Sequence, residues 1–137
     1  MSYYFSTIVD CGFEEALNRT RQALSGEGFG VISEIDIAKT LREKIGAEFR
    51  PYTILGACNP ALAYEALQVE DKVGTMLPCN VVVQSLADGV EIAAIDPVAS
   101  MQAIANPRLI EKAGAVGAKL KRVIETVGAT ADADEPA

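Results

Sequence analysis

Three Asx-Pro pairs divide this chain, at Asn59-Pro60, Asp96-Pro97 and Asn106-Pro107. Each is a helix start written in two residues. The Asn or Asp side chain accepts a hydrogen bond from the first turn, and the proline has its φ already set and no N–H to lose. An apolar helical pattern follows each pair. After Pro60 the predicted inward stripe is Ala63, Tyr64 and Leu67, and after Pro97 it is Val98, Met101 and Ile104. The third pair opens the longest helix, where Leu109, Ala113, Val116, Leu120, Val123 and Val127 keep helical spacing.

The segments between these starts are read from periodicity and turn chemistry. Residues 3–9 are aromatic and β-branched and predict a strand. Gly12 then opens a helix with Phe13, Ala16, Leu17, Thr20, Ala23 and Leu24 on one face and Glu14, Arg19, Arg21 and Gln22 on the other. Gly26 and Gly28 end it. Residues 30–37 predict a second strand, after which Asp36 caps a short helix carrying Ile37, Leu41 and Ile45 and closed by Gly46. Residues 50–58 predict a third strand, with Pro51 placed early enough to spare a ladder donor. Asp88-Gly89, between the apolar runs 81–83 and 90–95, is the strongest turn signal in the chain. The order β-α-β-α-β-α-β-β-α-α predicts an α+β fold: a single two-layer domain whose mixed or antiparallel sheet of about five strands carries helices on one face. The helices starting at Gly12 and Asn106 hold the longest apolar stripes and are expected to cover that face. The domain is expected to span residues 1–129, followed by a small, acidic, frayed tail over 130–137.

Charge and composition exclude several functions. The chain of 137 residues carries 12 Lys and Arg against 19 Asp and Glu, a net charge of −7, so a nucleic-acid backbone would be repelled. It has no histidine, which removes imidazole bases, Ser-His and Cys-His couples, His-rich zinc sites and the usual haem ligand. No apolar run approaches the ~20 residues of a membrane span. Met1-Ser2-Tyr3-Tyr4 lacks the basic start and apolar core of a signal peptide, so a soluble, cytoplasmic chain is expected. The odd set Cys11, Cys58 and Cys79 has no CxxC spacing and reads as reduced thiols.

Two constellations could carry chemistry. Cys58 ends a predicted strand and directly precedes the Asn59-Pro60 cap, placing its sulfur near a helix N-terminus that favours a thiolate. Cys79 begins the predicted hairpin, and if the two strands are neighbours both thiols share one end of the sheet. The bland alternative is that both are small buried hydrophobes. As a metal site, Cys58 and Cys79 supply half of a tetrahedral thiolate set, to be completed by carboxylates or a second subunit, with copper or zinc the candidates. The second constellation is Lys39, Arg42 and Lys44 with Arg50, which could receive an anionic ligand or could be a solvated face pairing with Glu43 and Glu48. Of the acids Asp36, Glu65, Asp71 and Asp96, none forms a catalytic pair by spacing, and Asp36 and Asp96 have work as caps. Gly114 and Gly117, among Ala113, Ala115 and Ala118, give the last helix a small-residue face suited to close packing within the domain or across a dimer. Gly26-Glu27-Gly28-Phe29-Gly30 lacks the following helix that a dinucleotide loop needs.

The elements Lys39-Thr-Leu-Arg-Glu-Lys-Ile-Gly46, Ile54-Leu-Gly-Ala-Cys-Asn-Pro60, Leu77-Pro-Cys-Asn-Val81 and Asp96-Pro97 with Met101 resemble the family known as domain of unknown function 302. The resemblance covers residues 3–127. It implies a small α+β domain found as a homodimer, and it brings no activity or residue role to inherit. Residues and resemblance together lead to a homodimeric domain binding a small ligand or a metal ion near Cys58, Asn59 and Cys79, with Lys39 and Arg42 as further ligand contacts. The alternatives are a thiol redox enzyme or sensor in which Cys58 attacks and Cys79 resolves, and a pure interaction module.

Overall fold

The computed structural model describes residues 2–134. Its elements are β1 (Tyr4–Val9), α1 (Phe13–Gly26), β2 (Gly30–Asp36), α2 (Ile37–Ile45), β3 (Tyr52–Cys58), α3 (Pro60–Val69), a 3-10 helix (Asp71–Met76), β4 (Cys79–Leu86), β5 (Gly89–Ile95), α4 (Pro97–Ser100) and α5 (Pro107–Asp134). All three Asx-Pro pairs start helices where the sequence places them. Asn59 accepts from the Leu62 N–H, Asp96 from the Val98 N–H, and Asn106 from the N–H groups of Arg108 and Leu109. The acidic segment expected to fray from residue 130 enters α5, and residues 135–137 lie outside the described residues.

The five strands form one sheet in the order β1-β5-β4-β3-β2, and every neighbouring pair is antiparallel. Four antiparallel steps leave β1 and β2 pointing the same way at opposite edges, so α1 crosses the sheet between them. The βα alternation therefore produces no parallel neighbours. Val9, Val90 and Ile92, Val81 and Val83, and Leu55 and Ala57 alternate onto one face, where α1 and α5 cover them with Ala16, Leu17, Leu24, Leu120, Val123 and Val127. Each of these is buried. At the β3-end of the sheet that carries Cys58, a second cluster of Ala66, Val73, Met101, Leu109 and Ala113 joins α3, the 3-10 helix, α4 and the first turns of α5. No described helix is long and apolar enough to cross a membrane.

Two expectations need correction. The inward face of α3 is Leu62, Ala63 and Ala66, whereas Tyr64 and Leu67 face outward at 66% and 43% exposure. Ala66 packs with Leu109 and Ala113 of α5, so the side of α3 that meets α5 and the groove is the one carrying Leu62, Ala63 and Ala66. The 3-10 helix over 71–76 falls in a segment with no strong pattern, and its one buried side chain is Val73. On the small-residue face of α5, Ala113 is buried in the second cluster, a Cβ added at Gly117 would meet Pro97 of α4 at ordinary contact distance, and Gly114 faces open space.

Candidate functional site

β3 ends at Cys58 and β4 begins at Cys79, and the register pairs Ala57 with Cys79. Strand alternation sends Cys79 to the helix-covered face and Cys58 to the other. Both nevertheless line one groove, because it wraps around the end of the sheet under α3, α4 and α5. The groove lies at the seam between the two apolar clusters. Phe29, Ala57 and Val116 come from the main core, and Ala66, Met101, Leu109 and Ala113 from the second. Besides the thiols, Asn59 and Lys112 are the polar side chains in its wall. The cavity within the groove is small, about 30 Å³. That is room for one or two waters or a bare ion.

Asn59 sets the geometry of this end. Its Oδ1 accepts from the Leu62 N–H at 3.3 Å, and its Nδ2 donates to the Glu27 carbonyl at 3.4 Å, tying the start of α3 to the loop before β2. That loop turns at Gly28, whose φ of 85° suits glycine and whose missing Cβ would sit 3.1 Å from the Asn59 amide. Lys112 pairs with Glu65 at 3.7 Å. Cys58 is half-buried, and Cys79 is 6% exposed. Burial, with repulsion from Cys58 adding to it, pushes the Cys79 thiol from 9.0 up to about 11. At neutral pH Cys79 is therefore a protonated thiol and a poor nucleophile. None of Cys11, Cys58 and Cys79 is in a disulfide. Among the described residues no three Cys, Asp or Glu side chains are grouped to hold a metal ion.

The other predicted site residues lie elsewhere. Lys39 and Arg42 line a separate depression with Asp36, Phe13 and Tyr52, at the opposite end of β3 from Cys58. A strand of this length, seven residues, sets the two ends roughly 20 Å apart, so these cations do not reach the thiol groove. Arg50 leaves that basic cluster altogether. It stacks on Phe49 with its guanidinium 4.3 Å from the ring centre, and its Nε donates to Gln84 at 2.8 Å. The four acids considered for catalysis are all otherwise engaged. Asp36 and Asp96 cap helices, Glu65 pairs with Lys112, and Asp71 pairs with Lys72. Sequence reasoning missed Met101 and Lys112 as groove residues. No local signal marks them, since only the packing of α4 and α5 against the strand ends brings them to the thiols.

Comparison with known proteins agrees with this architecture. No curated protein matches the chain. The crystal structure of an uncharacterized conserved DUF302 protein from Bacillus stearothermophilus is similar, with a TM-score of 0.88 and 28% identity. The similarity covers 93% of this chain and 99% of that one. The family model described as "Domain of unknown function DUF302" matches residues 5–127, nearly the whole described domain, and the chain belongs to that family.

Proposed function

We propose that this domain binds a small ligand or a metal ion in the groove lined by Cys58 and Cys79, and that it works as a homodimer. One observation carries the binding reading. Two cysteines far apart in sequence line one largely apolar groove at the seam of two cores. A groove at such a seam with few polar groups is the usual form of a ligand site. The protonated state of Cys79 weighs against the thiol-redox alternative, in which it would have to act as a ready thiolate. Alkylation of the folded protein tests the reading. Cys58 should be modified faster than Cys11, a bound ligand or metal should protect it, and Cys58→Ser should lose that binding with the fold intact. Slow labelling of Cys58, together with clear destabilisation by Cys58→Ala, would mean that the cysteine only packs.

The dimer reading rests on the uncovered sheet face. Tyr4 and Ile8, Ala93, Val82, Tyr52 and Ile54, and Ile35 alternate onto it, and several are well exposed. Its one charged strand residue is Glu91, which accepts from Gln84 in a chain that begins at Arg50. A chain of net charge −7 that keeps all but one of its strand acids off one face has a surface on which a second copy meets little repulsion. An isologous pairing of that face covers its apolar residues on both copies at once.

A further inference from the structure

We infer, on the reading that the thiol groove is the binding site, that its occupant is Cu(I), held by the sulfurs of Cys58, Cys79 and Met101. All three residues line the same groove, and Cys58 is near enough to Cys79 to repel its thiolate. Met101 and Cys79 are buried at 4% and 6% exposure, and Cys58 is half-buried at the mouth. The donor set is soft. The groove wall has no carboxylate, and the chain has no imidazole to offer. Hard cations such as Mg²⁺ and Ca²⁺ are held chiefly by carboxylates, and the groove wall has none. Zn²⁺ closes its structural sites with four donors, one more than the groove holds. Thiolate with thioether is the combination that selects Cu(I), an ion that accepts linear and trigonal coordination.

Size and charge point the same way. Space of about 30 Å³ admits an ion, whereas pockets for organic ligands run to ~300 Å³ or more. Binding replaces the proton on each thiol, so that Cu⁺ and two Cys–SH groups give a bis-thiolate copper complex of charge −1 and two protons. The Met101 sulfur adds a neutral donor. Lys112 stands in the groove wall paired with Glu65, and the N-terminus of α3 lies beside Cys58, so the negative charge is laid against the positive end of a helix. The apolar remainder of the wall keeps water from competing for the metal.

The test is an anaerobic titration of the full-length, metal-free protein with Cu(I) against a chromophoric Cu(I) chelator, with a parallel titration by Zn²⁺. The expected result is one Cu(I) per chain, release of two protons per ion, and loss of binding in Cys58→Ser and in Cys79→Ser. Met101→Leu keeps the volume and the fold, and it should weaken Cu(I) roughly ten- to a hundredfold, the scale for removing a supporting metal contact. Copper-edge X-ray absorption should show sulfur donors alone. Wild-type affinity in Met101→Leu, nitrogen or oxygen at the metal, or a preference for Zn²⁺ through the two cysteines would each overturn the inference while leaving the groove reading standing. That reading fails separately, through a Cys58 that is sealed against alkylation and needed for stability.

Discussion

The buried thiol of Cys79 should make this protein lose stability in alkali, and replacing it should reverse that trend. Desolvation raises its pKa from 9.0 to about 11 in the folded chain. In the unfolded chain the thiol returns to its ordinary value. Between those two values the unfolded state sheds a proton that the folded state keeps, so stability falls as pH rises. The contribution is fully present below about pH 9. For one group with these pKa values, the loss is about 1.4 kcal/mol at pH 10 and about 2.3 kcal/mol at pH 11, approaching about 2.7 kcal/mol beyond. Cys79→Ala removes the titration and one buried sulfur, a packing loss of about 1 kcal/mol. The variant should therefore be the less stable protein at pH 7 and the more stable one at pH 11. Urea unfolding of both metal-free proteins, followed by circular dichroism at intervals from pH 7 to 11, reads the two curves. They should cross near pH 10. A constant gap across that range would refute the desolvation of Cys79, and with it the dry character assigned to the groove.

Three further outcomes follow from the same packing. Gly56 has no room for a side chain, since an added Cβ would meet the Ser33 hydroxyl and sit 2.8 Å from Pro78 Cγ. The hydroxyl can turn away but the ring cannot, so Gly56→Ala should cost about 1–3 kcal/mol in thermal or urea unfolding, and a neutral result would show that β4 yields there. Asn106→Asp keeps the cap of α5 but loses the donor that Asn106 Nδ2 gives the Val69 carbonyl at 2.8 Å; unfolding should show a loss of about 1–2 kcal/mol, and an unchanged midpoint would mean that this tie carries no energy. Val82→Glu puts a like charge at the centre of the open face of each copy. Sedimentation should find the wild type dimeric and the variant monomeric, and a wild-type monomer at high micromolar concentration would count against the dimer.

Much of the fold was legible because its signals are local. Asn59, Asp96 and Asn106 cap their helices with their own side chains, so two adjacent residues suffice to read each start. The Asp88-Gly89 turn was equally plain, and Gly89 takes the positive φ of 143° that a side chain would resist. The face of α3 was not legible. Apolar periodicity counts Tyr64 and Leu67 as core, but what decides burial there is which side of the helix meets α5, and that side carries Leu62, Ala63 and Ala66. At the site, Cys58 and Cys79 were brought together by a strand pairing that the sequence allowed, whereas Lys39 and Arg42 were separated from them by the length of β3. Met101 could not be found from sequence, because its sulfur reaches the groove only through tertiary packing.

The strand order has a consequence for how the chain comes to be folded. β3, β4 and β5 are neighbours in the sheet as they are in sequence, and β2 joins them across one short helix. The first strand is different: Tyr4 pairs with Ile95 and Val9 with Val90, so β1 has no partner until β5, the last strand, has left the ribosome. Its hydrogen bonds then close the largest loop between paired strands, at an entropic cost that grows only slowly with length but must be met before any pairing is gained. During synthesis the N-terminal segment and α1 wait with an apolar face exposed. The β1 edge is thus the last seam of the sheet to close, and the first that a growing chain has to keep away from its neighbours.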